Sequence, residues 1–589
     1  MPTTYDEHEQ ADGNVPRTPE GGRGVLHTPT DAEARPAGPN TLPALLLADE
    51  REAEGALALA TESATLTYAE LGRAARALAA GLIASGIAPG DRVGIWLPNG
   101  PDWLAAHWAA ALCGAIVVPL NTRYRAAEAR YILAQSGAAA LVMQGAFGQT
   151  DYLAALKEML TDGAWPELRV VVVRPMAESI LPDPAITWDM ALRLGETTPD
   201  GEIEARARAV APDDVHILMY TSGTTGYPKG AMLTHEGLIH SAGHHFREWG
   251  LRPGEAVLVP NPFSHIMGLI YGVLMPAIAR VVPVTLPAFD TERVLGLIQR
   301  YHPVMMTGTP THFQMLAEHP ALAGYDVSSL RFGMAGGAGT TPETIQRITE
   351  RLGIEALVNG LGMSEAGSVA HTVPSDPPAI HATTVGRPMP WLQTRLVDPN
   401  TGADVTPGNP GELWIRGPGV MKGYFRDAEA TAAALTLDGW LRTGDLLRLG
   451  DDGCLRFVGR LKEMFTVGGF NVYPAEVERV LTQHPAVAEC MVVGVPDTRL
   501  GEVPFAFIRL APGAAWTPEE LTAFCGERLA GYKAPRTFHV VESFPTLASG
   551  KRERRPLVEF ARQIATGEAT QTPSGGWMMK LPSANAGIE

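Results

Sequence analysis

Cysteine is scarce. The four cysteines among 589 residues, Cys113, Cys454, Cys490 and Cys525, form no CxxC pair. That spacing excludes zinc ribbons, iron–sulfur clusters and a secreted disulfide framework, and fits a reducing cytoplasm. Positive charge is also short: 47 Lys and Arg stand against 64 Asp and Glu, a formal net charge of −17. Such a balance repels a phosphate backbone at long range and argues against nucleic acid as a partner, while leaving room for a local basic pocket around a small phosphorylated ligand. An uninterrupted apolar run of membrane length is missing as well. The longest stretch, 268–289, carries Arg280 and prolines at 276, 283 and 287. Proline breaks backbone bonding that hydrocarbon cannot replace, so the stretch reads as a buried helix followed by a buried strand. This leaves no transmembrane segment, although peripheral membrane contact stays open. The first residues, MPTTYDEHEQADG, lack an apolar core and are acidic, unlike a signal or transit peptide.

What is present is the composition of a globular chain, 45% apolar and 19% charged, long enough for more than one hydrophobic core. Residues 1–40 hold too few apolar groups to offset ordering entropy and are expected to be a disordered tail. From residue 41, helical patterns at 68–84, 103–113 and 291–301 alternate with strand-like runs at 93–97, 115–120, 168–173, 257–259 and 304–307. That alternation predicts α/β layers with largely parallel sheets. Past about residue 388, short strands such as 411–416 and 454–458 predict a β-rich subdomain completing a large N-terminal domain over 41–459. A small, mobile α+β domain is expected over 460–566, with helices at 474–484 and 518–529 and strands at 488–495 and 504–510, then a flexible tail over 567–589.

The sharpest local signal is Tyr220-Thr-Ser-Gly-Thr-Thr-Gly-Tyr-Pro-Lys-Gly230, directly after the apolar run 215–219. Ser and Thr hydroxyls, three glycines and a lysine within one short loop let the backbone approach an anion closely and surround it with donors. The loop is not a Walker A motif, because Pro228 precedes Lys229 and Gly230 follows it.

This string resembles the signature loop of the adenylate-forming superfamily, the AMP-dependent ligases that include acyl-CoA synthetases. The resemblance extends over about 41–557 through further motifs in the right order: Leu66-Thr-Tyr-Ala-Glu-Leu71, Leu97-Pro-Asn99, Pro262-Phe-Ser-His265, Ala335-Gly-Gly-Ala338, Leu361-Gly-Met-Ser-Glu365, Gly411 to Gly417, Thr443-Gly-Asp445, Gly459-Arg460 and Gly550-Lys551. It implies a two-step reaction. A carboxylate attacks the α-phosphate of ATP to give an acyl-adenylate and pyrophosphate, and a thiol then displaces AMP. Both steps develop negative charge, so positioning and electrostatic stabilisation are what the protein must supply.

By the same resemblance Thr221, Ser222, Gly223, Thr224, Thr225, Gly226 and Lys229 cradle the β and γ phosphates. Glu365 holds Mg²⁺ and Ser364 bonds the α-phosphate. Gly337 and Ala338 contact adenine, while Asp445 accepts from the ribose hydroxyls with Arg460 in support. Lys551 reaches the α-phosphate and carboxylate, and His265 gates or contacts the acyl group. Lys462 is the hinge, and Gly468 and Gly469 flank the pantetheine tunnel of CoA, with Lys533 a weaker candidate for a CoA phosphate. Leu361 stands where the family commonly has an aromatic stacking on adenine. The acyl pocket is expected near Ile266, Met267, 309–313, 334–337 and Leu361. With no Lys or Arg there to meet a second carboxylate, it favours a hydrophobic monocarboxylate, whether fatty, alicyclic or aromatic. The expected activity is therefore an ATP-dependent acid-CoA ligase. Two alternatives stand beside it: an adenylating enzyme that loads a separate carrier protein, and a nucleotide-binding protein without catalysis. The sequence is silent on oligomeric state.

Overall fold

Capping chemistry sets where the long helices begin. Thr67 Oγ1 accepts from Glu70 N at 3.2 Å while Glu70 Oε2 accepts from Thr67 N at 2.8 Å, and this reciprocal pair starts the helix Tyr68–Ala84 at its predicted first residue. Asp290 Oδ1 accepts from Arg293 N at 2.9 Å and likewise opens Thr291–Tyr301. In the computed structural model of the chain, the described residues are 25–27, 38–52, 55–161, 163, 165–174, 180–221, 227–336, 342–406, 408–467, 470–497, 499–546 and 552–566.

Two largely parallel sheets dominate. The seven-stranded one contains Arg92–Trp96, Ile116–Pro119, Ala138–Gln144 and Val170–Arg174, and ends in the antiparallel pair Val215–Thr221 and Lys229–Thr234. The nine-stranded one runs through Met305–Gly308, Phe332–Gly336 and Ala356–Met363 in parallel before turning antiparallel at Gly367–His371. A single apolar core joins both sheets through the helices Tyr68–Ala84 and Pro101–Leu112. Every residue of the latter from Trp103 to Leu112 is buried, and burying each large apolar side chain is worth about 1.5–3 kcal/mol. The 268–289 stretch is a buried helix and then the strand Val282–Val284, as its prolines imply. No described helix is long and apolar enough to cross a membrane.

An antiparallel five-stranded sheet follows, built from Gln393–Val397, Gly411–Arg416, Leu441–Leu449 and Leu455–Arg460. Its fifth strand corrects an expectation. Val25–His27, inside the stretch expected to be a disordered tail, pairs antiparallel with the edge strand Gln393–Val397. An edge strand offers unpaired backbone groups, so three residues can be fixed there by main-chain hydrogen bonds without the apolar content on which the composition argument rested.

The C-terminal part has a core of its own. Strands Val487–Asp497 and Gly501–Leu510 alternate two ways: Val492, Ala506 and Ile508 face one apolar cluster, and Val493, Phe505 and Phe507 face another. The first cluster is covered by Pro474–Leu481 and Pro518–Gly526, the second by Arg555–Thr566. Residues 567–589, expected as a tail, lie outside the described residues.

Candidate active site

The hydroxyl-rich segment begins and ends on two strands that pair with each other. Val215–Thr221 and Lys229–Thr234 pair antiparallel, with Thr221 opposite Lys229, so the lysine is fixed at the mouth of the connection while Ser222 to Gly226 lie outside the described residues. The segment 422–425 runs along the returning strand: Phe425 N donates to Gly230 O at 2.8 Å and Met232 N to Gly423 O at 3.0 Å. This pairing delivers Tyr424, whose ring lies 5.6 Å from Lys229 Nζ and whose hydroxyl donates to Glu365 Oε1 at 2.8 Å. Burial and the Glu365 carboxylate both push the Tyr424 phenol upward, so it stays protonated and a donor. Glu365 is held from a second side, its carbonyl accepting from Met421 N at 2.8 Å. Its turn depends on Gly367, which sits at φ +67° and where a Cβ would come 2.5 Å from Ser241 Oγ.

Beside this chain of contacts lies a cavity. His265, Ile266, Met267, Thr309, Leu361 and Ser364 all line it. Ser364 and Glu365 are consecutive, so the cavity and the Lys229–Tyr424–Glu365 contacts share a wall. His265 caps the helix Ile266–Leu269, its Nδ1 accepting from Met267 N at 3.3 Å. Two expected pocket residues are placed elsewhere. His312 stacks on Phe289 at 4.2 Å, and Phe313 is buried in the neighbouring apolar cluster. From Thr309 the chain turns into the helix Pro310–Ala317, which carries the following side chains away from the cavity.

Asp445 and Arg460 face each other on adjacent strands, with Arg460 Nε 2.9 Å from Asp445 Oδ1. The other oxygen, Oδ2, is buried and has no hydrogen-bond partner among the described residues. Burial raises the Asp445 pKa and the Arg460 charge opposes that rise without cancelling it. A buried carboxylate oxygen left open is suited to accept hydroxyl donors from a ligand. Lys462 is exposed on the single turn Leu461–Glu463 after the Arg460 strand. Lys533 is committed, with Nζ 2.8 and 2.7 Å from the two oxygens of Glu476, which weakens its reading as a CoA phosphate contact. Gly337, Ala338, Gly468, Gly469 and Lys551 lie outside the described residues. No group of three or more His, Cys, Asp or Glu suited to a metal occurs among the described residues. A single carboxylate such as that of Glu365 is the donor set of a hard cation only where phosphate oxygens complete it.

Sequence reasoning missed Tyr424, whose role comes from strand pairing that no local pattern announces. It also missed His245, Tyr271 and Ser368, which line the same cavity. For Tyr271, a tyrosine inside the otherwise apolar run 266–279 was the available signal, whereas His245 lies in the mixed stretch His244-His-Phe-Arg-Glu248 and carried none.

Comparison with known proteins places these features. The profile of the AMP-binding enzyme family matches residues 48–425, and that of the AMP-binding enzyme C-terminal domain matches 476–551. The chain is 39% identical over 521 residues to the 3-(7a-methyl-1,5-dioxo-octahydro-1H-inden-4-yl)propanoyl:CoA ligase of Mycobacterium tuberculosis, covering 88% of this chain and 99% of that one. It is 38% identical over 487 residues to a feruloyl-CoA synthase of Amycolatopsis sp, covering 82% and 92%. Among solved structures, an anthranilate CoA ligase in complex with anthranoyl-AMP superposes with a TM-score of 0.79 at 26% identity, covering 90% of this chain and 98% of that one.

Proposed function

The chain belongs to the AMP-binding enzyme family and is an AMP-forming acid-CoA ligase of hydrophobic acids, and from that premise we propose how its residues divide the work. The acid's hydrocarbon part fills the cavity lined by Ile266, Met267 and Leu361, with its carboxylate at the Ser364 end. Thr221 to Gly226 and Lys229 bind the β and γ phosphates, and Asp445 Oδ2 accepts from the ribose. The carboxylate oxygen then attacks the α-phosphorus, and the bond to the pyrophosphate oxygen breaks. Ser364 and Lys551 meet the charge that develops on the α-phosphate. Glu365, held by Tyr424, is the residue that would carry Mg²⁺, which supplies charge neutralisation of the phosphates when bound. In the second step the CoA thiol attacks the acyl carbonyl and AMP leaves. Gly468 and Gly469 flank its approach, and Lys462 is the residue about which the C-terminal part turns between steps.

The observation that carries this reading is the shared wall, where the Ser364 end of the cavity adjoins the Lys229–Tyr424–Glu365 contacts. An acyl carboxylate and a nucleotide phosphate are thereby brought to one place. All four cysteines are unpaired and buried, which suits work in a reducing cytoplasm. The test is pyrophosphate release and acyl-CoA formation with ATP, Mg²⁺, CoA and a panel of acids. Release should require a hydrophobic monocarboxylate, with free CoA as acceptor. Turnover of dicarboxylates alone, or an acyl-adenylate that only a carrier protein accepts, would overturn it.

A further inference from the structure

The lining of the acyl cavity is not hydrocarbon alone. His245 lines the cavity and is wholly buried, and neither of its ring nitrogens has a hydrogen-bond partner among the described residues. Its surroundings are ring faces: Trp249 at 5.0 Å, Tyr271 at 5.3 Å, His371 at 5.0 Å and Trp391 at 6.4 Å. The adjacent histidine makes the contrast. His371 Nε2 lies 2.8 Å from Glu248 and its Nδ1 lies 3.1 Å from Trp249 Nε1, so Glu248 and the Trp249 indole N–H are spent on His371 and not on His245. Burial first, then the neighbouring His371, hold His245 well below the usual histidine range and therefore neutral. A neutral imidazole offers one N–H donor and one acceptor.

Ser368 and the Tyr271 hydroxyl, which bonds the Ser368 side chain, also line the cavity. Tyr271 sits in the π-helical turn Ile270–Leu274 that interrupts the apolar helix between Ile266 and Ala279. Such turns cluster at functional sites because they re-aim side chains. The space this needs is provided by Gly268 and Gly272, where a Cβ would come 2.0 Å from Pro262 O and 2.4 Å from Phe263 Cε1.

We infer that His245, with Tyr271 and Ser368, forms a recognition site for an oxygen on the acyl group, so that the preferred acid carries a carbonyl or hydroxyl on its hydrocarbon part. The inference rests on the cavity being the acyl pocket. A ligand oxygen would satisfy the orphaned imidazole, whereas a purely hydrocarbon acid of the same shape would leave it buried and unpaired. Sites built to hydrogen-bond a substrate group discriminate strongly against the analogue lacking it. Because the imidazole can donate or accept, carbonyl and hydroxyl acids are separate arms of the test.

The experiment uses the full chain with ATP, Mg²⁺ and CoA, and compares kcat/KM for cyclohexylpropanoate with ring-oxo and ring-hydroxy forms in which the oxygen is moved from carbon to carbon. A matched series of straight-chain acids and their oxo forms is run beside it. At least one oxygenated acid is expected to exceed its parent by about tenfold or more. His245→Phe should lower kcat/KM for the oxygenated acid far more than for the parent, so that their ratio falls toward one, and His245→Asn, which keeps a donor and an acceptor, should retain part of the preference. Equal use of oxygenated and parent acids by the unaltered chain would overturn the inference, since a water then serves the imidazole. So would a preference that survives in His245→Phe. Absence of CoA-dependent turnover with every acid would instead count against the ligase reading itself, and the two failures are thereby distinct.

Discussion

Tyr424→Phe removes one atom and keeps the ring. In the unaltered protein the phenol donates to Glu365 at 2.8 Å, while the ring face lies 5.6 Å from Lys229 Nζ. The substitution therefore deletes the hydrogen bond and leaves the cation–ring contact in place. A hydrogen bond to a charged group contributes about 1.5–3 kcal/mol. At about 1.36 kcal/mol per tenfold, this is roughly a 10- to 150-fold effect if the carboxylate must be held for adenylation. Both side chains are only partly buried, so the lower part of that interval is expected. Pyrophosphate release in a single turnover should slow by about tenfold or more, with the Mg²⁺ concentration for half-maximal rate rising. Thioester formation from supplied acyl-adenylate should stay within about twofold. The phenol is held protonated by burial and by Glu365, so the size of the effect should not change with pH across the neutral range. A Tyr424→Phe protein that folds normally and adenylates within about twofold of the parent, at an unchanged Mg²⁺ midpoint, would refute the idea that Tyr424 positions Glu365. Equal loss in both half-reactions would do the same.

Four further outcomes are expected. Asp445→Asn should raise the KM for ATP about tenfold or more, because the open Oδ2 becomes an amide, while the unfolding temperature of the free protein holds or rises, since burial already disfavours that charge; a large fall in thermal stability would contradict this. Lys551→Ala should cut adenylation by about 10² to 10³ and spare thioester formation from supplied acyl-adenylate, and equal losses would reject that division. Lys462→Pro lies second in a single turn, where the turn leaves the backbone N–H unused, so the fold should survive while thioester formation falls more than adenylation; if both rates stay near the parent, the hinge role is lost. Burial lowers His107 to about 3 and His235 to about 4, and drives His216 and His245 well below the ordinary value. The unfolded chain therefore binds more protons between about pH 4 and pH 6.5, and stability should drop as pH falls through that window by about 1.4 kcal/mol per pH unit for each histidine. Melting temperatures that stay level from neutral pH down to about pH 5 would rule this out.

The elements that sequence reading located best are those whose ends carry local chemistry. Thr67 with Glu70 and Asp290 with Arg293 mark helix starts within three residues of chain, and alternation within Val487–Asp497 marks a two-faced strand. The lines of site residues were legible for the same reason, being contiguous motifs. Tyr424 was not, because what matters about it is its placement beside Ala231 and Glu365, which are distant in sequence. His245 was hidden differently: it stands in the mixed stretch His244 to Glu248, which has no periodic signal, and only its surroundings in the fold reveal that none of the described residues satisfies it. The strand Val25–His27 was lost to averaging, since composition over forty residues says nothing of three that meet a sheet edge.

The two residues that bracket Leu461 and Lys462 are tethered in opposite directions. Arg460 is tied back to Asp445 by its ladder position and its ion pair, and Glu463 is tied forward to Arg554, which also grips Glu478 at 2.7 Å. Any swivel of the C-terminal part must then be concentrated in the torsions of two residues, as in a clevis pin held by lugs on both sides. A short joint of that kind has little slack, so its end positions are set by which lug contacts persist. Loosening either lug would blur both stopping points before it altered a single atom that touches substrate.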